Sequence, residues 1–452
     1  MCFLVGCCMA ISVIDLFAGP GGLGEGFSSL RDDAGQSIFR IRLSVEKDHS
    51  AHKTLELRSF FRQFQDGEVP EDYYCYIRKE GISREELFER YPSEAGFAQR
   101  EAWRFELAKQ HADEIDDRIR EALNGETTWV LIGGPPCQAY SIVGRVRMCG
   151  SDREKYENDP RHYLYREYLR ILATHQPPVF VMDNVPGLMS SQANGEGIFA
   201  RILSDLSLPQ GGGNENGYKL YPLRRSTRKV RHSDFVIHAE KHGIPQRRHR
   251  LIVVGIRSDL CLEPEQINTQ QSISTVRDAI QDLPSIRSGL SKEQDSYATW
   301  SRVVKTFAEV MNLSESLADD LRREFEEVCV NREALTLGGE FIPANGETYP
   351  SEWLRQHAWW FKDEQLQGYC NHSARSHIRQ DLGRYLFAAC YARARKTSPR
   401  MCDFPEEMRP AHRNIADAVA GKIFDDRFRV QLADNPAISV SKVSGCNHAT
   451  DA

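Results

Sequence analysis

Gly133-Gly134-Pro135-Pro136-Cys137-Gln138-Ala139-Tyr140-Ser141 follows a strand-like run, Trp129-Val130-Leu131-Ile132. Two glycines and two prolines force a rigid turn, because proline locks φ and glycine admits conformations closed to other residues. Cys137 therefore leaves the turn outside any helix interior, at the end of a strand apolar enough to be buried. A thiol held there on stiff backbone is placed to act as a nucleophile. The plain alternative is a small structural cysteine packed behind a Pro-Pro turn. The rest of the chain decides between the two.

Toward the N-terminus, Ile11-Ser12-Val13-Ile14-Asp15-Leu16-Phe17 is a β-branched strand, followed by Ala18-Gly19-Pro20-Gly21-Gly22-Leu23-Gly24. Such a strand-to-helix turn lets a ligand approach the backbone closely, although it lacks the Gly-x-Gly-x-x-Gly spacing of dinucleotide folds. A cofactor loop and an ordinary tight turn both fit it. A second strand, Ile41 to Val45, ends at Glu46, which is either an acceptor for ribose hydroxyls or an exposed strand-end charge. From Leu55 to about Glu126 the chain is charged and helical, with apolar residues at helix-like spacing between Ser83 and Leu123.

Toward the C-terminus, Gly144 to Asp159 is polar and reads as a mobile loop, and Tyr163 to Ile171 as a helix. Pro178-Val179-Phe180-Val181-Met182 is a strand that delivers Asp183-Asn184-Val185, and Phe235 to His238 is strand-like. Gln246-Arg247-Arg248-His249-Arg250 then precedes the strand Leu251-Ile252-Val253-Val254-Gly255. Strands alternating with helices, with polar chemistry at strand ends, predict an open α/β sheet carrying its site at the strands' C-terminal edge. That rhythm stops near Pro284. The expected organisation is one domain over 1–284, with a helical insertion at about 55–126, and a smaller irregular domain over 285–452.

Forty per cent apolar and 27% charged residues in 452 describe a globular chain large enough for two cores. The net charge of −6 argues against a uniformly basic nucleic-acid coat. Locally the balance inverts: Arg224, Arg225, Arg228, Lys229, Arg231, Lys241, Arg247, Arg248 and Arg250 face only Asp234 and Glu240 between 221 and 250. That stretch suits phosphate contacts. Twelve cysteines are scattered with neither Cys-x-x-Cys pairs nor zinc-type Cys/His spacing, so no metal is expected and a reducing cytoplasm fits. The apolar start lacks a basic leader, and no stretch is long enough to span a membrane. Trp353, Trp359 and Trp360 read as core residues rather than base-stacking ones.

Together these residues resemble the DNA (cytosine-5)-methyltransferase family of restriction-modification systems. Asp15 to Gly22 is similar to its cofactor-loop motif, Glu46 to its ribose motif and Gly133 to Ser141 to its nucleophile motif. Asp183-Asn184-Val185 is similar to its acidic-Asn-Val motif, and Gln246 to Arg250 to its arginine motif. Asn371 to His377 and Asp426 to Gln431 resemble segments of its target-recognition region, although His372, Arg375 and His377 also fit a structural polar cluster. The resemblance implies a Rossmann-like S-adenosyl-L-methionine-dependent methyltransferase domain with a mixed, mostly parallel sheet, plus a smaller irregular target-recognition domain. It implies Cys137 as the nucleophile toward cytosine C6, Asp183 as the acid at N3, and Arg248 and Arg250 at O2. Asp15, Phe17, Ala18, Gly19, Gly21, Gly22, Glu46 and Pro135 would bind the cofactor, with Phe17 on adenine and Glu46 on ribose. Gln138, Ser141, Asn184 and Gln246 would contact the substrate, a cytosine flipped out of double-stranded DNA in the bacterial nucleoid.

Two departures stand out. Asp183 occupies the position where the family pattern has Glu. Asp434 to Ala452 contains neither the late helix nor the Gly-Asn-x-Val segment that completes the cofactor pocket in the family. The expectation is a split or truncated enzyme, whose missing motifs a second polypeptide would supply. Alternatives are a catalytically weak subunit, an RNA cytosine-5 methyltransferase and, more remotely, a dinucleotide oxidoreductase.

Overall fold

The computed structural model describes residues 10–65, 67–136, 161–189, 192–193, 196–210, 217–224, 230–270, 272–314, 317–328, 335–344, 351–423 and 428–438. Cys137, Gln138, Ser141, the expected loop at 144–159 and the tail from 439 lie outside them, as do Asp426 and Arg427.

β1 (Ile11–Leu16) is buried at every position but its first, and the short β4 (Trp129–Gly133) at every position. Near-continuous apolar runs of this kind are what the centre of a parallel sheet, covered on both faces, requires. β1 pairs in parallel with β2 (Phe39–Glu46) on one side and with β4 on the other. Beyond β2 lies β3 (Ala102–Arg104), and beyond β4 lies β5 (Val179–Asn184), both parallel to their neighbours. The sheet continues with β8 (His249–Arg257), antiparallel to β5, and with β6 (Tyr218–Tyr221) and β7 (Val236–His238), both antiparallel to β8. The order β3-β2-β1-β4-β5-β8-β6, with β7 also on β8, is a mixed and mostly parallel sheet of the doubly wound type. Its order reverses between β1 and β4, which puts the ligand crevice at the C-terminal ends of those strands.

One face of the sheet packs Ile14, Leu43, Leu131 and Met182 against Ile115 and Ile119 of the helix Ala112–Leu123 and Ile171 and Leu172 of the helix Arg161–His175. The other face packs Val13, Ile41 and Ile132 against Leu23 and Phe27 of the helix Gly22–Ser28. Gly133 lets β4 end tightly against β1: a Cβ there would lie 2.6 Å from the Leu16 carbonyl oxygen. The insertion holds helices, as its periodicity predicts, at Arg84–Arg90, Pro92–Glu101 and Ala112–Leu123. It also supplies β3.

The chain divides into two compact units: 1–70, 83–238 and 249–268 form the first, and 71–82, 239–248 and 269–452 the second. The expected boundary at 284 lies fifteen residues beyond 269, where the second unit's long segment starts. Part of the expected insertion, Glu71–Ile82, also belongs to the second unit. Tyr74 donates to Asp363 Oδ2 at 2.9 Å and Arg78 to the Gln365 carbonyl at 3.2 Å, contacts across nearly three hundred residues of sequence that no local pattern announces.

The second unit is built on the helices Tyr297–Asn312, Asp319–Glu326 and Arg379–Arg395, whose core includes Met311, Phe325, Phe387 and Ala388. Short ladders, Gly289–Leu290 with Ser376–His377 and Phe341–Pro343 with Gly368–Cys370, complete it. His372 bonds the Pro284 carbonyl at 2.7 Å, and the His377 ring packs on Tyr385. The expectation of core tryptophans fails for Trp359 and Trp360, and Trp353 is only half-buried. Trp359 is 66% and Trp360 45% exposed, because the helix Glu352–Phe361 buries Leu354 and leaves its C-terminal turn outside.

Candidate active site

Where β1 ends, Phe17 adopts a left-handed φ of 58°, followed by Gly19 at 58° and Gly21 at 92°. A non-glycine residue held there is a strained turn. The turn is fixed at both shoulders: Ala18 N–H donates to the Val45 carbonyl at 3.0 Å, and Gly21 N–H to the Ala18 carbonyl at 3.0 Å. Glu46, at the tip of β2, accepts from Gly19 N–H at 2.8 Å with Oε2 and from Asp48 N–H at 2.7 Å with Oε1. The carboxylate predicted for ribose thus also shapes the glycine turn. Added Cβ atoms at Gly19 and Gly22 would meet nothing within 4 Å, so this backbone is open to a ligand.

Asp15 lies beneath the loop, 1% exposed. Burial pushes its carboxyl up to about 8, against the pull of the Arg62 guanidinium and with the push of Glu46 and Glu101. Its Oδ2 has no hydrogen-bond partner among the described residues. Asp15, expected to bind the cofactor, is thus a buried acid at the end of β1, under the glycine turn. The cause is its place at the covered centre of the sheet, which no charge in its own stretch of sequence announces.

β3 brings a further acid that motif reading misses. Phe105 N–H donates to the Glu46 carbonyl at 3.1 Å, and its ring stacks on Trp103 at 4.0 Å. Glu106 then pairs with Lys47 at 2.6 Å, beside Glu46. Lys47 and Glu106 are exposed at the same sheet edge as the glycine turn.

At β4 and β5 the two turns are tied together. Asn184, buried, donates Nδ2 to the Pro135 carbonyl at 3.2 Å, while its Oδ1 accepts from Val185 N–H at 2.8 Å. Pro135 is buried as well. Asn184 and Pro135, expected on substrate and cofactor respectively, therefore brace the turn that leads into Cys137. Asp183 stands at the end of β5 with Arg250 Nε 3.7 Å from its Oδ2. The structure brings this predicted pair together.

Arg248 and Gln246 lie in the second unit. Gln246–Arg247 pairs in parallel with Ala437–Ile438, and the Arg248 carbonyl accepts from Ala239 N–H at 3.2 Å. Upstream, Gly243 is held by Trp353, whose indole Nε1 donates to its carbonyl at 2.9 Å. On the first unit, His238 and His249 face each other across β7 and β8 with ring centroids 4.1 Å apart.

The model of the family described as C-5 cytosine-specific DNA methylase matches residues 100–404, two thirds of the chain. The chain belongs to that family. Among similar proteins, the type II methyltransferase M.Bpa9945I of Bacillus paralicheniformis is 31% identical over 295 residues, 61% of this chain and 61% of the relative. The DNA (cytosine-5-)-methyltransferase M.ApeKI of Aeropyrum pernix is 35% identical over 153 residues, 30% of this chain and 29% of the relative. The chain thus spans about three fifths of M.Bpa9945I and less of M.ApeKI. The solved structure of the Entamoeba histolytica methyltransferase EhMeth aligns at 16% identity over 66% of each chain, with a TM-score of 0.36. Among the described residues, no helix is long and apolar enough to cross a membrane.

Proposed function

We propose that this member of the C5-methylase family transfers a methyl group from S-adenosyl-L-methionine to C5 of a cytosine flipped out of duplex DNA. The observation that carries the reading is the facing pair Asp183 and Arg250, at the sheet edge where the turn into Cys137 is braced. The type II names of its relatives support reading it as the methylating partner of a restriction system, which would act in the cytoplasm.

The residues fit the cofactor. The backbone at Gly19 and Gly22 is open, left-handed φ angles at Phe17, Gly19 and Gly21 turn the chain out of β1, and the acids Glu46 and Glu106 sit at neighbouring strand tips. Acidic surroundings suit a sulfonium cation. Phe17 would pack on adenine, Glu46 would accept from the ribose hydroxyls, and Glu106 would face the adenine amino group. When bound, S-adenosyl-L-methionine supplies the electrophilic methyl group.

Cytosine C5 becomes nucleophilic once a thiolate adds to C6, which pushes the C5–C6 electron pair onto C5. Cys137 would make that bond. Asp183 would hold a proton at N3, and Arg250 and Arg248 would offset negative charge developing at O2. After methylation the C5 proton leaves to a base. The electron pair it releases re-forms the C5–C6 double bond and expels the Cys137 thiolate.

The test is trapping on duplex DNA whose cytosines are replaced by 5-fluorocytosine. Fluorine at C5 blocks the final elimination, so incubation with S-adenosyl-L-methionine should give a protein–DNA adduct that survives a denaturing gel. Cys137→Ala should give none. Intact chain that binds the duplex yet forms no adduct overturns the proposal.

A further inference from the structure

Arg62 lies in the charged insertion, where no motif points to it. It caps the helix His49–Phe61, its N–H donating to the Arg58 carbonyl at 3.1 Å. Its two terminal nitrogens bond two different carboxylates: NH1 reaches Glu25 and NH2 reaches Glu101. Glu25 sits in the first turn of the helix that leaves the glycine loop, and Glu101 is the last residue before β3. All three side chains are largely withdrawn from water.

The same helix also meets the loop elsewhere. A Cβ at Gly21 would lie 2.9 Å from Leu55 Cδ1, so Leu55 fills the space that glycine leaves. At the helix's other end, Asp48 is the N-cap, and its N–H shares the Glu46 carboxylate with Gly19 N–H. One helix thus grips the loop at Gly19 through Glu46, at Gly21 through Leu55 and at Glu25 through Arg62. Charged groups this buried are costly without partners, and only a planar, forked cation satisfies two separated carboxylates at once.

We propose that Arg62 is a positioning residue for the cofactor: by clamping Glu25 to Glu101 it locks the glycine loop against β3 in the shape that receives S-adenosyl-L-methionine. The inference rests on the cofactor reading above. It gives the helical part of the insertion a job in cofactor binding, beside the one proposed for Glu106. The positive charge of Arg62 also opposes the burial that keeps Asp15 neutral under the loop.

The experiment uses the full chain with Arg62→Gln and Arg62→Lys, and with Arg84→Gln as the control. Arg84 is a comparably buried arginine that pairs with Glu56 of the same helix and not with Glu25 or Glu101. Three quantities are measured: calorimetric affinity for S-adenosylhomocysteine, amide hydrogen exchange over residues 17–28, and the melting temperature. Arg62→Gln should weaken binding at least tenfold and speed exchange across 17–28 in the ligand-free protein. Arg62→Lys keeps the charge but reaches one carboxylate, so it should recover only part of the affinity. Arg84→Gln should lower the melting temperature and leave affinity unchanged. If both Arg62 variants bind as tightly as the wild type, or Arg84→Gln weakens binding as much as they do, the clamp is a stability feature alone and the inference falls. If the wild-type chain itself fails to bind S-adenosylhomocysteine, the cofactor reading falls first and takes the clamp with it.

Discussion

Arg250 Nε lies 3.7 Å from Asp183 Oδ2, and the strand register explains why. Asp183 on β5 sits opposite Ile252 on β8, and Arg250, two residues before Ile252, projects on the same face. The pair is therefore set by two strands of the rigid sheet, not by a loop. At that separation the carboxylate and the guanidinium attract each other at the end of β5.

Asp183 has one methylene fewer than the Glu of the family pattern. The carboxyl consequently stops roughly 1.5 Å short, one C–C bond. A displacement of about 1 Å at a reacting group can cost about 10²-fold in rate. Asp183→Glu is expected to raise the turnover of DNA methylation, measured as initial rates with saturating duplex. Asp183→Asn, which cannot supply the proton at N3, should lower it by about 10²-fold or more. Unchanged or slower turnover in the Glu variant would mean that the backbone of β5 already makes up the missing length.

Arg250→Lys separates charge from shape. Lysine keeps the positive charge but loses the planar fork that can hold an oxygen and a carboxylate together. Turnover should fall by about 10- to 100-fold, with little change in the KM for DNA, because the contact matters most as charge develops on the ring. A KM rise at constant turnover would assign Arg250 to plain duplex binding instead.

Asp15 makes stability depend on pH in a definite direction. Its carboxyl is raised from 3.8 to about 8 by burial, so between those values the folded chain holds a proton that the unfolded chain has released. Stability therefore falls as pH rises through that window, by up to about 1.4 kcal/mol per pH unit from this group, and levels off above it. Asparagine at this position is neutral throughout. In urea titrations, the stability of Asp15→Asn relative to wild type should climb from pH 5 to pH 8. A difference that stays flat would show that Asp15 is already ionised when folded.

Which parts of this site were legible depends on how local their causes are. β1, β4 and β5 announce themselves as apolar runs ending in turn residues, and the glycine loop and Glu46 follow from the βαβ pattern. β3 does not, because Ala102–Arg104 is three residues directly after a helix and is a strand only by pairing with β2. Glu106 was hidden with it. Arg62 looked like one more charge in a helical stretch, since its meaning comes from Glu25, 37 residues before it, and Glu101, 39 after it. The exposed Trp359 and Trp360 were misjudged for a related reason: side-chain size suggests burial, but a helix end buries only what the neighbouring layer covers.

Trp353 shows that a large aromatic can matter through its one polar atom. Its ring stacks on His357 at 4.3 Å, and its Nε1 donates to the Gly243 carbonyl. Gly243 has a left-handed φ of 83°, and a Cβ there would lie 2.5 Å from the Gln270 side-chain amide, so the backbone at this point is closely confined. It opens the stretch Gly243-Ile244-Pro245-Gln246 that carries the chain to Arg248. Trp353→Phe keeps an aromatic ring but removes the five-membered ring with its N–H, so the bond, worth about 0.5–1.5 kcal/mol, is lost together with some packing. If that bond sets the path to Arg248, the loss should appear as a fall of up to about tenfold in kcat/KM with duplex DNA. The binding of S-adenosylhomocysteine should not change, since Trp353 and Gly243 both belong to the second unit and the cofactor loop to the first. Equal losses of cofactor affinity and of kcat/KM would instead mean that the substitution has disturbed the fold as a whole.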